Sequence, residues 1–460
     1  MNVEAPMSEE MTASVNDALK LVYSPQYPDV ETYNARNGTL NIWEGDDWGE
    51  TELSWKESCY IHAGISSPET TIYGPDAQKL VSMSAINNCY KWPVGKAKHL
   101  VMCDENGLIS SHALVNRTAD DAFAMSAGNP WPWLKLLMTG QYNAQVSFRN
   151  VGIFQCAGPN SLTCLEDLTQ QDLHDLKCLE FRPITVPGVE DADVIVQRVG
   201  MAGTLSYELR SDEEHASAVY DALYQVGKAR YDMKRLGWRT YYVNHTEGGY
   251  AQVTCGFEQA CDYDEAFLAT GTNLCPPTYS GSYDPEDHRA RLRTPAECGW
   301  DWMAKFDHDF VGREAVEAEK ASPKRTIVTL EWNDDDVVDI FASQYRDKEP
   351  YKYMEMPIAP QGANGCHADR VLDLEGNVIG VSSAAVFSKY YQHEISQTTI
   401  DIDQAQIGNE VIVEWGDFGG RIKQVHAKVE RYPYLQLVRN EKYDMATVPY
   451  GCPEEAIRTK

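Results

Sequence analysis

Apolar positions fall at helical spacing in three stretches of the chain, residues 76–83, 216–229 and 162 into 176, and each spacing predicts an amphipathic helix. Polar and apolar residues partly alternate over 144–154 and 193–199, which predicts short strands between those helices. The first two thirds of the sequence therefore read as mixed α+β. The pattern changes near 321–324, where Ser322-Pro323 closes a charged helix and the β-rich run 325–332 follows. That change predicts a boundary between one region over 1–322 and a second over 323–460. Beyond it, turn signals at Asp335, Glu375-Gly376-Asn377 and Gly419-Gly420 separate the runs 378–381, 410–415 and 424–429, the pattern of a small β-barrel or sandwich. Residues 276–294, rich in Pro, Gly, Ser, Tyr and charge, read as a long surface loop, either covering a site or a passive insertion.

With 460 residues and 43% hydrophobic side chains, the chain can bury a large core spread over two or three domains. Its 69 acidic against 40 basic side chains leave a formal charge of -29, which repels DNA, RNA and anionic lipid at long range. Nucleic acid is disfavoured as a partner, and the spread of acids along the chain reads as a solvated surface. No apolar run reaches membrane-spanning length, and residues 1–17 carry acids where a signal peptide needs a basic then an apolar segment; the expected location is the cytoplasm. The 12 cysteines are scattered singly, so reduced thiols are expected, and the nearest pair, Cys255 and Cys261, read as small buried hydrophobes. Neither a phosphate-cradling glycine loop nor a serine-hydrolase elbow or zinc-protease motif is present. In Asp307-His308-Asp309 and in Cys366-His367 neighbouring side chains point apart, so no metal site is assigned.

Three motifs point to one chemistry: Gly200-Met201-Ala202-Gly203 leading to Tyr207-Glu208-Leu209; Tyr241 through Asn244 to Glu247-Gly248-Gly249; and Lys305-Phe306-Asp307-His308-Asp309-Phe310-Val311-Gly312-Arg313. In that order and spacing the chain resembles the folate-binding aminomethyltransferase superfamily, from about Trp55 to Tyr434. The third motif, continued by Thr329-Leu330-Glu331-Trp332-Asn333-Asp334-Asp335, is especially similar to the tetrahydrofolate-dependent vanillate and syringate O-demethylases. The resemblance implies an α+β fold of two intertwined N-terminal domains and a C-terminal β-barrel around a central folate channel, with tetrahydrofolate as cofactor. It implies transfer of a methyl group from an aromatic methyl ether, giving 5-methyltetrahydrofolate and a phenol, with no metal or corrinoid required. Transfer from a methylenedioxy, sulfonium or N-methyl donor is one alternative, and folate binding without catalysis is another.

A pterin ring presents a ring N–H beside an amino group, two parallel donors that one carboxylate accepts together. Glu208 occupies the matching position, and the preceding Gly200-Met201-Ala202-Gly203 can turn the backbone close to a ligand. Gln155, Tyr207 and Glu247 are the other expected cofactor residues, and Ser161 is the expected N-cap of the helix that follows Gly158-Pro159. Tyr241 matches the family tyrosine beside the substrate, where a phenol can donate to, or exchange a proton with, the oxygen that loses its methyl group. His112 falls where the broader family has an aspartate associated with catalysis, and an imidazole there can manage protons near neutral pH. Asn129 stands where the vanillate enzymes carry an arginine for the substrate carboxylate, and Ser66 stands near a histidine of their pocket; a benzoate-type substrate is not implied. Trp131, Trp133, Tyr242 and Tyr250 are candidate walls for an aromatic small molecule. Self-association is left open.

Overall fold

The computed structural model describes residues 30–458 apart from 31, 37–38, 127, 254, 271–277 and 360–364. Among these residues a nine-stranded sheet runs Ala97–Cys103, Ile109–Ala119, Ala122–Ser126, Cys59–Tyr73, Gln145–Ala157, Ser206–Asp212, Val194–Gln197, Phe181–Ile184, with Met233–Arg235 parallel to the start of Cys59–Tyr73. The long strands Cys59–Tyr73 and Gln145–Ala157 pair along their length, with a register shift between Gly64 and Ser67. Their outer ends belong to a lobe with Ile72, Leu80, Leu100, Phe123 and Trp133 in its core; their other ends belong to a lobe built on Ile61, Phe154, Leu165, Leu209 and Tyr220. Because the lobes share strands, the two α+β domains are intertwined.

The spacing-predicted helices form as Ala77–Ser84, which buries Leu80 and Val81, and as Ala216–Arg230, which buries Val219, Tyr220 and Leu223. The helix expected from 162 into 176 is shorter. It spans Ser161–Thr169 and ends at Gln170, whose φ of 57 leaves the helical region. Leu173 and Leu176 are buried all the same, because their segment crosses the same core; the Leu173 N–H goes to the Glu166 carboxylate at 2.7 Å instead of to a helical carbonyl. Asn160 holds the N-cap position expected for Ser161, whose buried hydroxyl donates to the Leu205 carbonyl at 3.4 Å. The surface loop expected over 276–294 also needs correction. Arg291 and Arg293 are buried, and Arg291 donates to the carbonyls of Asp284 and Asp287 at 2.9 and 3.3 Å, which satisfies the backbone internally and folds this segment inward. Residues 276–277 lie outside the described residues.

From Arg325 the chain forms a closed barrel of six strands. Arg325–Trp332 pairs with both His393–Asp401 and Lys423–Glu430, and the ring closes through Glu410–Trp415, Asp369–Leu372 and Val378–Ser388. Val371, Val411, Val413, Val425 and Val429 fill it together with Trp332 and Trp415, which meet edge-on at 5.9 Å. Asp335 does not mark a turn; it lies in the helix Asp334–Arg346, which starts where Asn333 accepts the Asp336 N–H at 3.0 Å and three aspartates sit at the positive helix end.

The first lobes, the helix Trp238–Gly248 and the barrel are joined at a buried charge cluster. Lys56, on the helix Trp48–Glu57, lies 2.5 Å from Glu52 and 2.7 Å from Glu247, and Glu247 accepts the Ser388 hydroxyl at 2.6 Å. Burial, then repulsion from Glu247, raises the Glu52 carboxyl above its usual range. Elsewhere the C-terminal tail seals the second lobe. Val448 joins its core, Tyr450 stacks on His174 at 3.7 Å, and the Gly451 N–H reaches Glu166 at 3.0 Å. No helix among the described residues is long and apolar enough to cross a membrane.

Removing the cation from this cluster leaves the Glu247 carboxylate buried beside the Glu52 carboxyl without its countercharge. Lys56→Met is expected to cost about 3–5 kcal/mol of stability, read as a lowered urea midpoint, while Lys56→Arg loses far less.

Candidate functional site

Successive residues on a strand face opposite sides of a sheet, and register decides which side chains meet across strands. Register aligns His62 with Gln155, Gln155 with Glu208, and Glu208 with Gln197, so these polar side chains form a row across one face of the sheet. All are buried. Asn244 Nδ2 donates to the Tyr60 hydroxyl at 3.2 Å, that hydroxyl donates to Gln155 Oε1, and Gln155 Nε2 donates to Glu208 at 3.4 Å. The donors run one way, from the helix Trp238–Gly248 to the carboxylate, and they fix which end of the Gln155 amide faces Glu208. Burial raises the Glu208 carboxyl above its usual range, against the opposing pull of the Arg210 charge and the Gln155 hydrogen bond. A buried carboxylate served by so long a hydrogen bond fits a group that brings two parallel N–H donors.

The helix carrying Tyr241 is pressed close to its neighbours at both ends. A Cβ at Gly237 would sit 2.2 Å from the Trp43 carbonyl, and a Cβ at Gly203, itself at φ +72, would lie 3.1 Å from Gly248. The Tyr241 ring lies flat on His62 at 4.0 Å, while Trp238 and His245 meet it edge-on at 5.1 and 4.5 Å. His62 Nδ1 faces the Leu236 carbonyl at 3.0 Å, and His245 Nδ1 faces the Tyr241 carbonyl at 3.1 Å. A carbonyl only accepts, so each Nδ1 carries hydrogen and Nε2 is the basic nitrogen. Burial pushes His62 down to about 4 and His245 down to about 3.

Past Gly249, Tyr250 places its hydroxyl 2.7 Å from His112 Nε2 and 2.9 Å from His99 Nδ1. His99 and His112 stand on paired strands with rings 5.4 Å apart, and His112 also packs on Trp300 at 4.6 Å. Burial pushes His99 down to about 4; it also lowers His112, which the neighbouring His99 depresses further. From the barrel, Gln397 donates to the carbonyls of His245 and Tyr250 at 3.0 and 3.1 Å and so fixes this end of the helix.

Of the residues singled out in the sequence, Glu208, Gln155, Tyr241, Tyr250 and His112 come together in this region, the first two buried and the other three half-buried. Tyr207 faces the other side of its strand and lies in the apolar core of the second lobe. Glu247 is engaged with Lys56 and Ser388, and Tyr242 packs among Trp55, Val386 and Tyr434. Trp133 belongs to the core of the other lobe, and Trp131 packs on Phe267 at 5.4 Å. Asn129 accepts the Trp131 N–H at 3.0 Å, in a turn that passes His112: a Cβ at Gly128 would be 3.0 Å from the His112 carbonyl. The Ser66 side chain lies outside the described residues, as does that of Cys366. Tyr60, His62, His99 and His245 had not been singled out. Tyr60 and His62 carry a signal in their two-residue spacing on a strand, and His245 in its four-residue spacing from Tyr241 on a helix. His99 has none.

Among the described residues Glu166, Asp172 and His174 bring possible ligand atoms within 4.8 Å of one another. These atoms already serve the fold: Glu166 accepts from Leu173, His174 and Gly451, and His174 Nε2 faces the Val448 carbonyl at 3.0 Å. Asp307 accepts from Asn88 at 2.8 Å, while His308 faces the Ala85 carbonyl at 3.0 Å with its Nδ1 3.7 Å from Asp307.

Known proteins agree with this architecture. Residues 57–272 match the model of the GCVT N-terminal domain. The chain is 33% identical to a sesamin methylene transferase of Sinomonas sp. (strain No.22), over 86% of this chain and 91% of that protein. It is 28% identical to a syringate O-demethylase of Sphingobium sp., over 89% of each. Among solved structures, the glycine cleavage system aminomethyltransferase T from Bartonella henselae superposes with a TM-score of 0.63 at 15% identity, covering 90% of this chain and 96% of that one.

The depressed histidines give the site an acid limit. Unfolded, their rings take protons near the ordinary value of 6.5; folded, they resist until about pH 3 to 4, so stability falls as pH drops through that window. The expected NMR result is that the ring signals of His62, His99 and His245 stay fixed from about pH 8 to about pH 5.5, where a free imidazole would titrate.

Proposed function

Because the chain belongs to the GCVT N-terminal domain family, which binds tetrahydrofolate, we propose that it transfers a one-carbon unit from an aromatic methyl ether to tetrahydrofolate, releasing a phenol. The observation that carries this reading is the buried Glu208 carboxylate, held by Gln155 in a row of polar side chains and suited to the paired donors of a pterin. Bound tetrahydrofolate supplies a nucleophilic nitrogen that accepts the carbon. Glu208 holds and orients the pterin, Gln155 and Tyr60 hold Glu208, and Asn244 holds Tyr60. The Tyr241 phenol, stiffened by the rings of His62, Trp238 and His245, donates to the ether oxygen as negative charge grows there. Enclosure by these rings and by the barrel keeps water from the reacting carbon and the two reactants in line. Asn129, in place of an arginine, leaves a neutral partner for the substrate ring. The reaction is expected in the cytoplasm.

A second reading, transfer of a methylene unit from a methylenedioxy group, is favoured by the higher identity to the sesamin methylene transferase than to the syringate O-demethylase. Anaerobic incubation with tetrahydrofolate and a panel of aryl methyl ethers, methylenedioxy compounds, sulfonium and N-methyl donors separates the readings by the mass of the folate product. A methyl-folate with a phenol supports the first and a methylene-folate the second. Tight folate binding with no product from any donor would establish a binding protein instead.

Glu208→Ala is expected to abolish tetrahydrofolate binding in calorimetry. In the unaltered protein, affinity should fall toward acid through the raised Glu208 range, because only the ionised carboxylate accepts both donors. Unchanged affinity in the variant would remove the cofactor assignment. Tyr241→Phe is expected to lower kcat by about 10²–10⁴ while folate affinity changes little; full activity would end its role.

A further inference from the structure

Two acids and one lysine meet where the helix Trp48–Glu57, the helix Trp238–Gly248 and the barrel join, and their side chains are 0% exposed for Glu52 and Glu247 and 1% for Lys56. Lys56 Nζ lies 2.5 Å from Glu52 Oε1 and 2.7 Å from Glu247 Oε2, and it keeps its charge against the faces of Trp55 at 4.1 Å and Tyr390 at 5.2 Å. Glu52 Oε1 also accepts the Tyr390 N–H at 3.3 Å, and Glu247 Oε1 accepts the Ser388 hydroxyl at 2.6 Å. Lys389, on the same hairpin as Tyr390, turns to the Trp48 ring at 5.9 Å instead. The remaining Glu52 oxygen, Oε2, meets no N–H or O–H donor among the described residues. With both acids ionised the cluster would hold a net negative charge away from water, which is costly. A single proton on Glu52 removes that charge and turns the unserved oxygen into a donor for the neighbouring Glu247 carboxylate, to which Glu52 hydrogen-bonds.

We propose that Glu52 carries this proton at neutral pH and, by donating it to Glu247, acts as a positioning residue for the helix that presents Tyr241 and Asn244 to the transfer site. The positioning role rests on the one-carbon transfer reading; the proton does not. The helix Trp48–Glu57 grips its neighbour at both ends, since Thr51 also donates to the Thr240 hydroxyl at 3.4 Å, beside Tyr241. Glu247 lies one turn beyond Asn244, whose amide starts the row of donors that ends on Glu208. Loss of the proton to solvent leaves two carboxylates side by side with one lysine between them, and their repulsion pushes Glu247 and its helix away from Trp48–Glu57. Tyr241 and Asn244 move with it. Glu52 and Lys56 touch neither reactant and act through Glu247.

The test compares the unaltered protein with Glu52→Gln, which keeps the shape and an N–H donor but cannot ionise. Unfolded, Glu52 loses its proton near the ordinary 4.5; folded, burial and the Glu247 charge hold the proton to about 8, so the stability it contributes is lost as pH rises through that window. The melting temperature of the unaltered protein is therefore expected to fall relative to that of Glu52→Gln from about pH 5, with the gap level beyond about pH 8. Glu247→Gln should erase the same transition, because Glu52 then ionises against Lys56 alone. Infrared difference spectra of the unaltered protein between about pH 6.5 and about pH 9.5 should lose one protonated-carboxyl stretch that the Glu52→Gln spectra lack. Equal pH dependence of melting, or identical difference spectra, would overturn the proton on Glu52. With tetrahydrofolate and a donor that turns over, kcat of the unaltered protein should drop about tenfold from about pH 7 to about pH 9, since about one molecule in ten keeps the proton one unit above its raised value, and kcat of Glu52→Gln far less. The same alkaline drop in both proteins would overturn the positioning role while leaving the proton and the one-carbon reading standing. No folate product from the unaltered protein with any donor would end the transfer reading and the positioning role together, with the melting result unaffected.

Discussion

Burying Glu208 is the constraint from which the centre of this molecule follows. A carboxylate away from water must be served by donors or lose its charge. The fold supplies Gln155 at 3.4 Å and the charge of Arg210, which oppose burial but leave the carboxyl raised. The neighbouring side chains are arranged around that carboxyl. Register places Gln155 beside it, Tyr60 locks the amide, and Asn244 brings in the helix that also carries Tyr241 and His245. The sheet could have filled this face with valines and been more stable. It keeps instead a buried polar row of His62, Gln155, Glu208 and Gln197.

The helix Trp238–Gly248 transmits this constraint to the rest of the chain. One side meets the sheet through Asn244 and Tyr241, its end is held to the barrel by Gln397, and Glu247 ties it to Lys56 and Ser388. The barrel therefore acts as a buttress for the site as well as a separate core. Two families of neutral rings result, one around Tyr241 and one around Tyr250, joined by His245. Burial lowers the basicity of all four imidazoles, so these rings pack as uncharged groups near neutral pH.

Local pattern was enough to read the barrel strands: Arg325–Trp332 and Glu410–Trp415 fall where alternation and turn residues put them. It misled where a side chain replaces a backbone partner. Glu166 takes the Leu173 N–H and ends a helix whose apolar spacing continues, and Asn333 converts an aspartate run into a helix start. Buried arginines, which look like surface residues in a sequence, turned 290–294 inward. In the site, Glu208 and Gln155 were legible through motif, but their alignment with His62 was not, because register between strands far apart in sequence has no local trace. Tyr207 shows the opposite case: strand alternation alone sends it to the far face from Glu208, and adjacency in the motif concealed this.

The tail that closes over the second lobe bears on how the protein is made. Val448 sits in a core whose other members begin at Cys59, and Glu166 and His174 wait for the backbone of residues 448 and 451. A ribosome must release residues 59–447 before Val448 can cover that apolar surface. The lobe translated early is thus finished late, and part of its apolar surface stays open while the barrel is still being made.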